Sequence, residues 1–504
     1  MNAAVHPGRL FLGSCLSLVS TSVCFAAVGA IMGALKAQFL LSNEQAGWIG
    51  GAAIWGFTVS IIVLGPLCNV LGMGNLLRFA MLCHFAGPLL MIFANGFWML
   101  FFGALVTALG NGTVEAVCNP LIATLYPDQK TKKLNQFHVW FPGGIVLGGV
   151  GCYLLSQVEA AQLGALKVWQ LQIGLVLVPT VLYAICFIGQ KFPATERVQS
   201  GVSFSGMVGG ALGRPLFYVL IACMAVTASL ELGPGRWIPA VLEAGGIAGI
   251  LVLAYINGLM AILRFFAGPV VHRLSPTGIL VCSAILSGVG LYWFSFAETI
   301  EMAFASATVF ALGVCYFWPT MLGVTSERVP RSGELGLALI GGTGMLVTGL
   351  VTSPQMGHIA DNYLHEKLVT ESREATLKVL GEVELVYGAA RETMTDPVRR
   401  KEVSGALDKT SKVLADASRT GTLPKGDTID ALRTAARDVP PGDAAAAVQK
   451  KINAIIQPAD NYGGRMSFRY IAPFAAFIIV VFGAMYAIDR ARGGYKAEKL
   501  SGAD

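Results

Sequence analysis

Along this chain hydrophobic positions run together instead of alternating with polar ones. Twelve stretches reach the roughly 20 residues that a membrane-crossing helix needs. They are 10–35, 46–71, 76–94, 97–126, 137–158, 168–188, 215–241, 247–271, 278–297, 302–323, 335–357 and 469–488. Backbone polar groups find no water inside lipid, so only helices or closed barrels can span it. Continuous apolar runs, not short segments of alternating polarity, select helices. The pattern predicts an all-α membrane protein with twelve transmembrane helices in two six-helix bundles.

Two polar segments interrupt it. The first, 189–214, carries KFPATERVQSG and follows the sixth stretch. The second, 361–466, contains no long apolar run, and its periodicity predicts helices near 373–394, 398–419, 428–438 and 443–456. TDP, GTLPKGD and VPPGD turns separate them. The expected organisation is an N-terminal bundle over 1–188, a cytoplasmic linker over 189–214 and helices seven to eleven over 215–360. A helical, outer-side (periplasmic) insertion over 361–466, helix twelve over 467–490 and a cytoplasmic tail over 491–504 complete it. Two six-helix halves are a transporter plan. A faint internal echo supports it: GPLCNVLGMGNLLR at 65–78 and GPVVHRLSPTGIL at 268–280 both open with Gly-Pro at a helix end.

Composition sharpens this picture. Charged residues make up 13% of the chain and mean hydropathy is +0.63, whereas a soluble domain carries about 25% charge. The insertion holds 16 Lys+Arg and 16 Asp+Glu, so the net charge of +6 belongs to the remaining 398 residues. So small a surplus bears on orientation in the bilayer, not on nucleic-acid binding. With the N-terminus cytoplasmic, the short inner loops receive Arg9, Arg78, Lys130, Lys132, Lys133, Lys191, Arg197 and Arg214, against Lys36, Lys167 and Arg236 outside. That bias predicts a multi-pass protein of the inner membrane with both termini cytoplasmic. The ten cysteines all lie in apolar stretches, with no zinc or disulfide spacing. No P-loop, HExxH, EF-hand or GxSxG motif occurs. An enzyme, a cofactor, a metal and a nucleotide partner are therefore not expected, and secondary transport is.

An ionisable side chain at hydrocarbon depth marks function by default. Glu115, in LGNGTVEAVCNPLIATLY, and Glu231, in TASLELGPGRWIP, are the two acids placed there. Both are candidate proton-coupling groups. Asn119 shares a helix face with Glu115 four residues on, and Pro120 frees a backbone carbonyl. His138 lies in the next stretch, where Asn135 reads as a helix cap. Gly233-Pro234-Gly235 reads as a break in the seventh helix, across which Glu231 and Arg236 could pair. Arg236 and Arg264 are candidate gating residues. Asn119, His138, Asn257, Trp55, Tyr316 and Trp318 are candidates for the solute cavity, the aromatic rings by stacking on an apolar sugar face. His84 reads as a packing histidine.

The stretch EAVCNPLIATLYPDQKTKKLNQFHVWFPGG resembles the fucose–proton symporter branch of the major facilitator superfamily. Glu115, Asn119-Pro120 and Leu134-Asn135 fill that branch's motif positions, and FLLSNEQAGWI resembles its first outer loop. The resemblance implies alternating access, a proton as coupling ion and Glu115 as a protonation or sugar-contact residue. The chain departs from the branch at Gly29, where an aspartate stands, at His138 for a glutamine, at Phe141 for an asparagine and at Asn69 for the superfamily's usual aspartate. The expected partners are a small polar solute, a sugar or polyol, with protons and the bilayer. A proton-antiport exporter and a membrane scaffold or sensor using the insertion are the alternatives.

Overall fold

The computed structural model describes residues 5–39, 41, 43–158 and 166–500. All regular structure among them is helical. The N-terminal half contains α1 (Pro7–Phe39), α2 (Asn43–Leu64), α3 (Met73–Ile92) and α4 (Phe97–Leu125). It continues with α5, in two segments (Lys130–His138 and Trp140–Ser156), and α6, also in two (Val168–Gly174 and Leu177–Phe187). After short linker helices come α7 (Pro215–Ala244), α8 (Gly249–Phe265), α9 (Ala267–Phe294) and α10 (Ile300–Val314 and Phe317–Arg328). The next helix, α11, runs from Gly333–Val347 through a wide turn at Thr348–Thr352 into Ser353–Thr370. The insertion contributes α12 (Arg373–Thr393), α13 (Pro397–Thr420) and α14 (Lys425–Arg437). Then α15 (Asp443–Ile471) leads through Ala472–Phe474 into α16 (Ala475–Ala491).

Among the described residues, eleven helices are long and apolar enough to cross a membrane. The predicted eighth span differs. Its apolar helix α8 stops after 17 residues, and the helical chain resumes at Ala267 until Ser275, whose φ of 60° turns it into the rest of α9. Two further boundaries move. The predicted helices 335–357 and 469–488 become the inner parts of α11 and α15–α16, which run on into polar sequence.

One buried hydrophobic cluster ties both halves together, from Leu10 and Phe57 to Phe468 and Phe482. The insertion builds its own from Leu364, Val383, Tyr387, Leu407, Leu432 and Ile452. Local chemistry sets its turns. Asp396 accepts from Val398 N at 2.9 Å with Pro397 opening α13, the expected cap and first residue. Gly421 ends that helix at φ 73°. Tyr387 donates to Ala435 O at 2.8 Å; burial pushes its hydroxyl up to about 12, so it stays a donor. Arg9 at the start of α1 bonds Cys186 O at the end of α6 (2.8 Å), and Arg328 pairs with Asp489 near the end of α16 (2.5 Å). The start of α1 and the end of α16 therefore lie at one end of the bundle, the termini end. The insertion lies at the other.

Candidate functional site

Two buried acids, one from each half, are linked across the seam through Arg264 and His138. On α4, Asn119 donates to Glu115 Oε2 at 2.6 Å and to Glu115 O at 2.9 Å, as their four-residue spacing allows. His138 closes the first segment of α5, with Nε2 3.1 Å from Asn119 Oδ1 and Nδ1 3.9 Å from Glu115 Oε1. On the other half, Arg264 of α8 donates from Nη2 to Glu231 Oε1 of α7 at 2.9 Å. The same guanidinium crosses the seam. Its Nη1 donates across it to His138 O at 3.1 Å, while its Nε donates within its own half to Cys315 O at 2.5 Å. All five side chains are buried, between 2% and 9% exposed.

Prolines explain why those carbonyls are free. A proline inside a helix removes one N–H and pushes away the carbonyl four residues earlier. Pro142 stands four after His138, and Pro319 four after Cys315. The helices are interrupted at Val139 and at Cys315–Tyr316 accordingly. Each break leaves a carbonyl in apolar surroundings that needs a donor, and Arg264 supplies both. Pro120 does the same to Ala116 O, which accepts from Cys68 Sγ at 3.3 Å. Glu231 Oε2 has no hydrogen-bond partner among the described residues. The cluster thus contains two carboxyls and one guanidinium, and a single held proton brings it to neutrality.

A second set of polar contacts closes the seam at the termini end. Asn69 donates to Glu334 Oε1 and to Thr195 Oγ1, both at 2.7 Å, and Arg197 pairs with Glu334 at 2.6 Å. Glu327 of α10 accepts from Thr131 Oγ1 of α5 at 2.8 Å and from Tyr495 Oη at 2.6 Å. Gly323 packs so closely on α5 that a Cβ there would stand 2.9 Å from Thr131 Cα. Sequence reasoning read these charges only as loop charges. Asn69 in place of an aspartate was the one signal that this turn matters, because the amide can donate to an acid across the seam.

Other candidates fall elsewhere. The Gly-Pro-Gly triplet does not break α7, which continues to Ala244 with Pro234 inside. On a continuous helix, positions five apart point about 140° away from each other. Glu231 therefore pairs with Arg264 and not with Arg236, which is exposed with no ion pair among the described residues. Asn135 is not a cap: it sits inside the first segment of α5 and donates to Thr131 O at 2.9 Å and Thr320 Oγ1 at 3.3 Å. Asn257 bonds its own helix at Leu253 O (2.9 Å). Trp318 packs against Gly341 and Gly344 of α11, and Tyr316 donates to Leu263 O at 2.8 Å beside the α10 break. Trp55 is 43% exposed, edge-on to Trp48. His84 is buried between Tyr183 Oη (3.0 Å) and Asn111 Oδ1 (2.9 Å), as a packing histidine should be.

The fold has close relatives in shape. The proton:xylose symporter XylE, bound to 6-bromo-6-deoxy-D-glucose, superposes with a TM-score of 0.60 at 14% identity, over 71% of this chain and 90% of that one. The E. coli fucose:proton symporter FucP does so with a TM-score of 0.55 at 18% identity, over 70% and 93%. A bacterial homolog of the human lysosomal transporter Spinster, in an inward-facing and unoccupied conformation, aligns over 95% and 97% with a TM-score of 0.51 at 15% identity. At such identities the likeness is one of fold alone. No curated protein matches the chain. The Major Facilitator Superfamily profile matches residues 10–352, and with the paired helical halves already described, the chain belongs to the major facilitator superfamily.

Proposed function

We propose that this chain is a secondary transporter that moves a small polar solute, a sugar or polyol, together with protons by alternating access. The observation that carries the reading is the seam cluster. Glu115, Asn119 and His138 of one half are held to Glu231 and Arg264 of the other through His138 O. A group with one unbalanced acid, buried at the plane where the halves separate, couples proton occupancy to that separation. Glu231 Oε2 lacks a donor among the described residues, and a solute rich in hydroxyls supplies donors. The contacts at Asn69, Glu334, Thr131 and Glu327 serve as the gate at the termini end; the basic bias of its loops supports reading that end as the cytoplasmic side of an inner-membrane protein. Sugar–proton symporters among the similar folds agree with this reading.

The test is uptake of a panel of labelled monosaccharides and polyols into proteoliposomes under an imposed inward proton gradient. The parent should concentrate one of them. Glu115→Gln should abolish gradient-driven accumulation while keeping solute exchange. Accumulation that needs the opposite gradient would replace symport with export by antiport. An unchanged pH response in Glu115→Gln would remove that residue from the coupling.

A further inference from the structure

At the base of the insertion a groove of about 520 Å³ runs between the outer part of α11, the start of α14 and the end of α15. Its walls include Tyr363, Glu366, Lys425 and Tyr470. Lys425 and Glu366 bring opposite charges to it, and neither makes an ion pair among the described residues. The tyrosine hydroxyls of 363 and 470 meet in a hydrogen bond, and Tyr363 also stands edge-on to Tyr462. Below Tyr470 an apolar stripe begins. Tyr470, Phe474, Phe477 and Val480 recur every three or four residues, which places them on one helix face. They are 49%, 49%, 44% and 70% exposed.

Among the described residues nothing covers that stripe, while the opposite flank of the last span packs on α9 at Gly288–Ala475. The groove is therefore continuous with a lipid-facing surface and lies away from the seam. On α11 it is the inner part, Gly341 and Gly342, that meets α2 of the other half. A row of tyrosines stands where polar sequence gives way to the apolar run Ile471–Ile488, the composition of a membrane-interface belt.

We propose that this groove binds the headgroup of a zwitterionic phospholipid carrying a primary ammonium. The phosphodiester faces Lys425, the ammonium faces Glu366, and the acyl chains lie along Phe474, Phe477 and Val480. Chemistry and shape agree: an amphiphile needs paired charges above a bare apolar track, and the groove offers them in that order. A free phosphate monoester of the same amine would satisfy the charges but not the track, so the two sources are separable.

The test uses the full chain in detergent, stripped of lipid, with Lys425→Glu and Glu366→Lys beside the parent. Thermal unfolding is followed with phosphatidylethanolamine, phosphatidylcholine, phosphatidylglycerol or soluble phosphoethanolamine added. Phosphatidylethanolamine should raise the parent's midpoint most, as a ligand of the folded state does. Either charge reversal should remove about half or more of that rise. Native mass spectrometry, which reads only folded molecules, should count one fewer retained phosphatidylethanolamine in each variant. Equal stabilisation by all three lipids, equal retention in parent and variants, or a full effect from phosphoethanolamine alone would overturn the proposal.

Discussion

Arg264 is the residue on which the seam depends. Its planar fork reaches an acid and two carbonyls at once, a pattern an ammonium on a flexible stem cannot reproduce. Truncation would leave Glu231 buried without its partner and two carbonyls without donors. Removing one member of a buried pair costs about 3–5 kcal/mol, whereas replacing both by apolar groups is often neutral. Arg264→Met should therefore lower the unfolding midpoint sharply. Arg264→Met with Glu231→Met should recover the part of that loss that comes from the unpaired acid, but not the part from the two bare carbonyls, and should not recover uptake. Thermal unfolding in detergent beside proteoliposome uptake checks both; a double variant that transports would remove the pair from the mechanism. At this scale the sequence was half legible. Glu115 and Asn119 are four apart on one helix, so their bond follows from spacing. Arg264 and Glu231 lie on different helices, and only tertiary packing chooses between Arg264 and Arg236.

Helices carry the device through their prolines. Pro142 and Pro319 each open a carbonyl to the same guanidinium, so the breaks in α5 and α10 are binding features of the seam. With Pro319→Ala, residue 319 regains an N–H that competes with Arg264 for Cys315 O, and α10 can close into regular helix. The variant should fold at least as stably as the parent, since interior proline is disfavoured by about 3 kcal/mol. It should transport more slowly, because the contact with Cys315 O that orients the seam-crossing guanidinium is weakened. Initial uptake rate and unfolding midpoint, measured together, decide; a midpoint and rate both unchanged would make the break incidental. Packing at the termini end predicts the opposite bias. Gly323→Leu sets a side chain against Thr131 and should hold that end open, read as faster labelling of a cysteine placed at residue 195. The long apolar helices were legible, apart from the eighth span, which is shorter than its apolar run, because runs of this length admit little else. Helix ends were not: hydropathy reports contact with lipid, and α11 and α15 continue as helices where their surroundings turn to water and protein.

The whole molecule is two membrane halves and an appendage with its own core, and the appendage belongs to one half. Its two stems, the outer part of α11 and α15, are continuous with membrane helices, and they pair antiparallel where Gly463 meets Ala360. Asn461 donates to Val241 O of α7 at 2.7 Å, and Arg465 pairs with Glu298 after α9 at 2.9 Å. These anchors all lie in the C-terminal half, so the appendage is fastened to that half. A charge-balanced sequence with short amphipathic helices made the appendage visible from composition. Its attachment was not visible, because it rests on two polar residues in helices that hydropathy does not join. The stems end level near residues 364 and 459, so excising 365–458 and closing with a short Gly/Ser turn removes the second core while sparing Asn461 and Arg465. If the seam cluster is the engine, this shortened chain should keep solute uptake within about twofold of the parent per folded molecule, since mutually distant sites act nearly independently. Uptake by purified, monodisperse protein is the measurement. A folded product that binds solute but no longer transports it would assign the appendage a part in the cycle, and the rigid coupling of its stems to α7 and α9 would then be the route by which it acts.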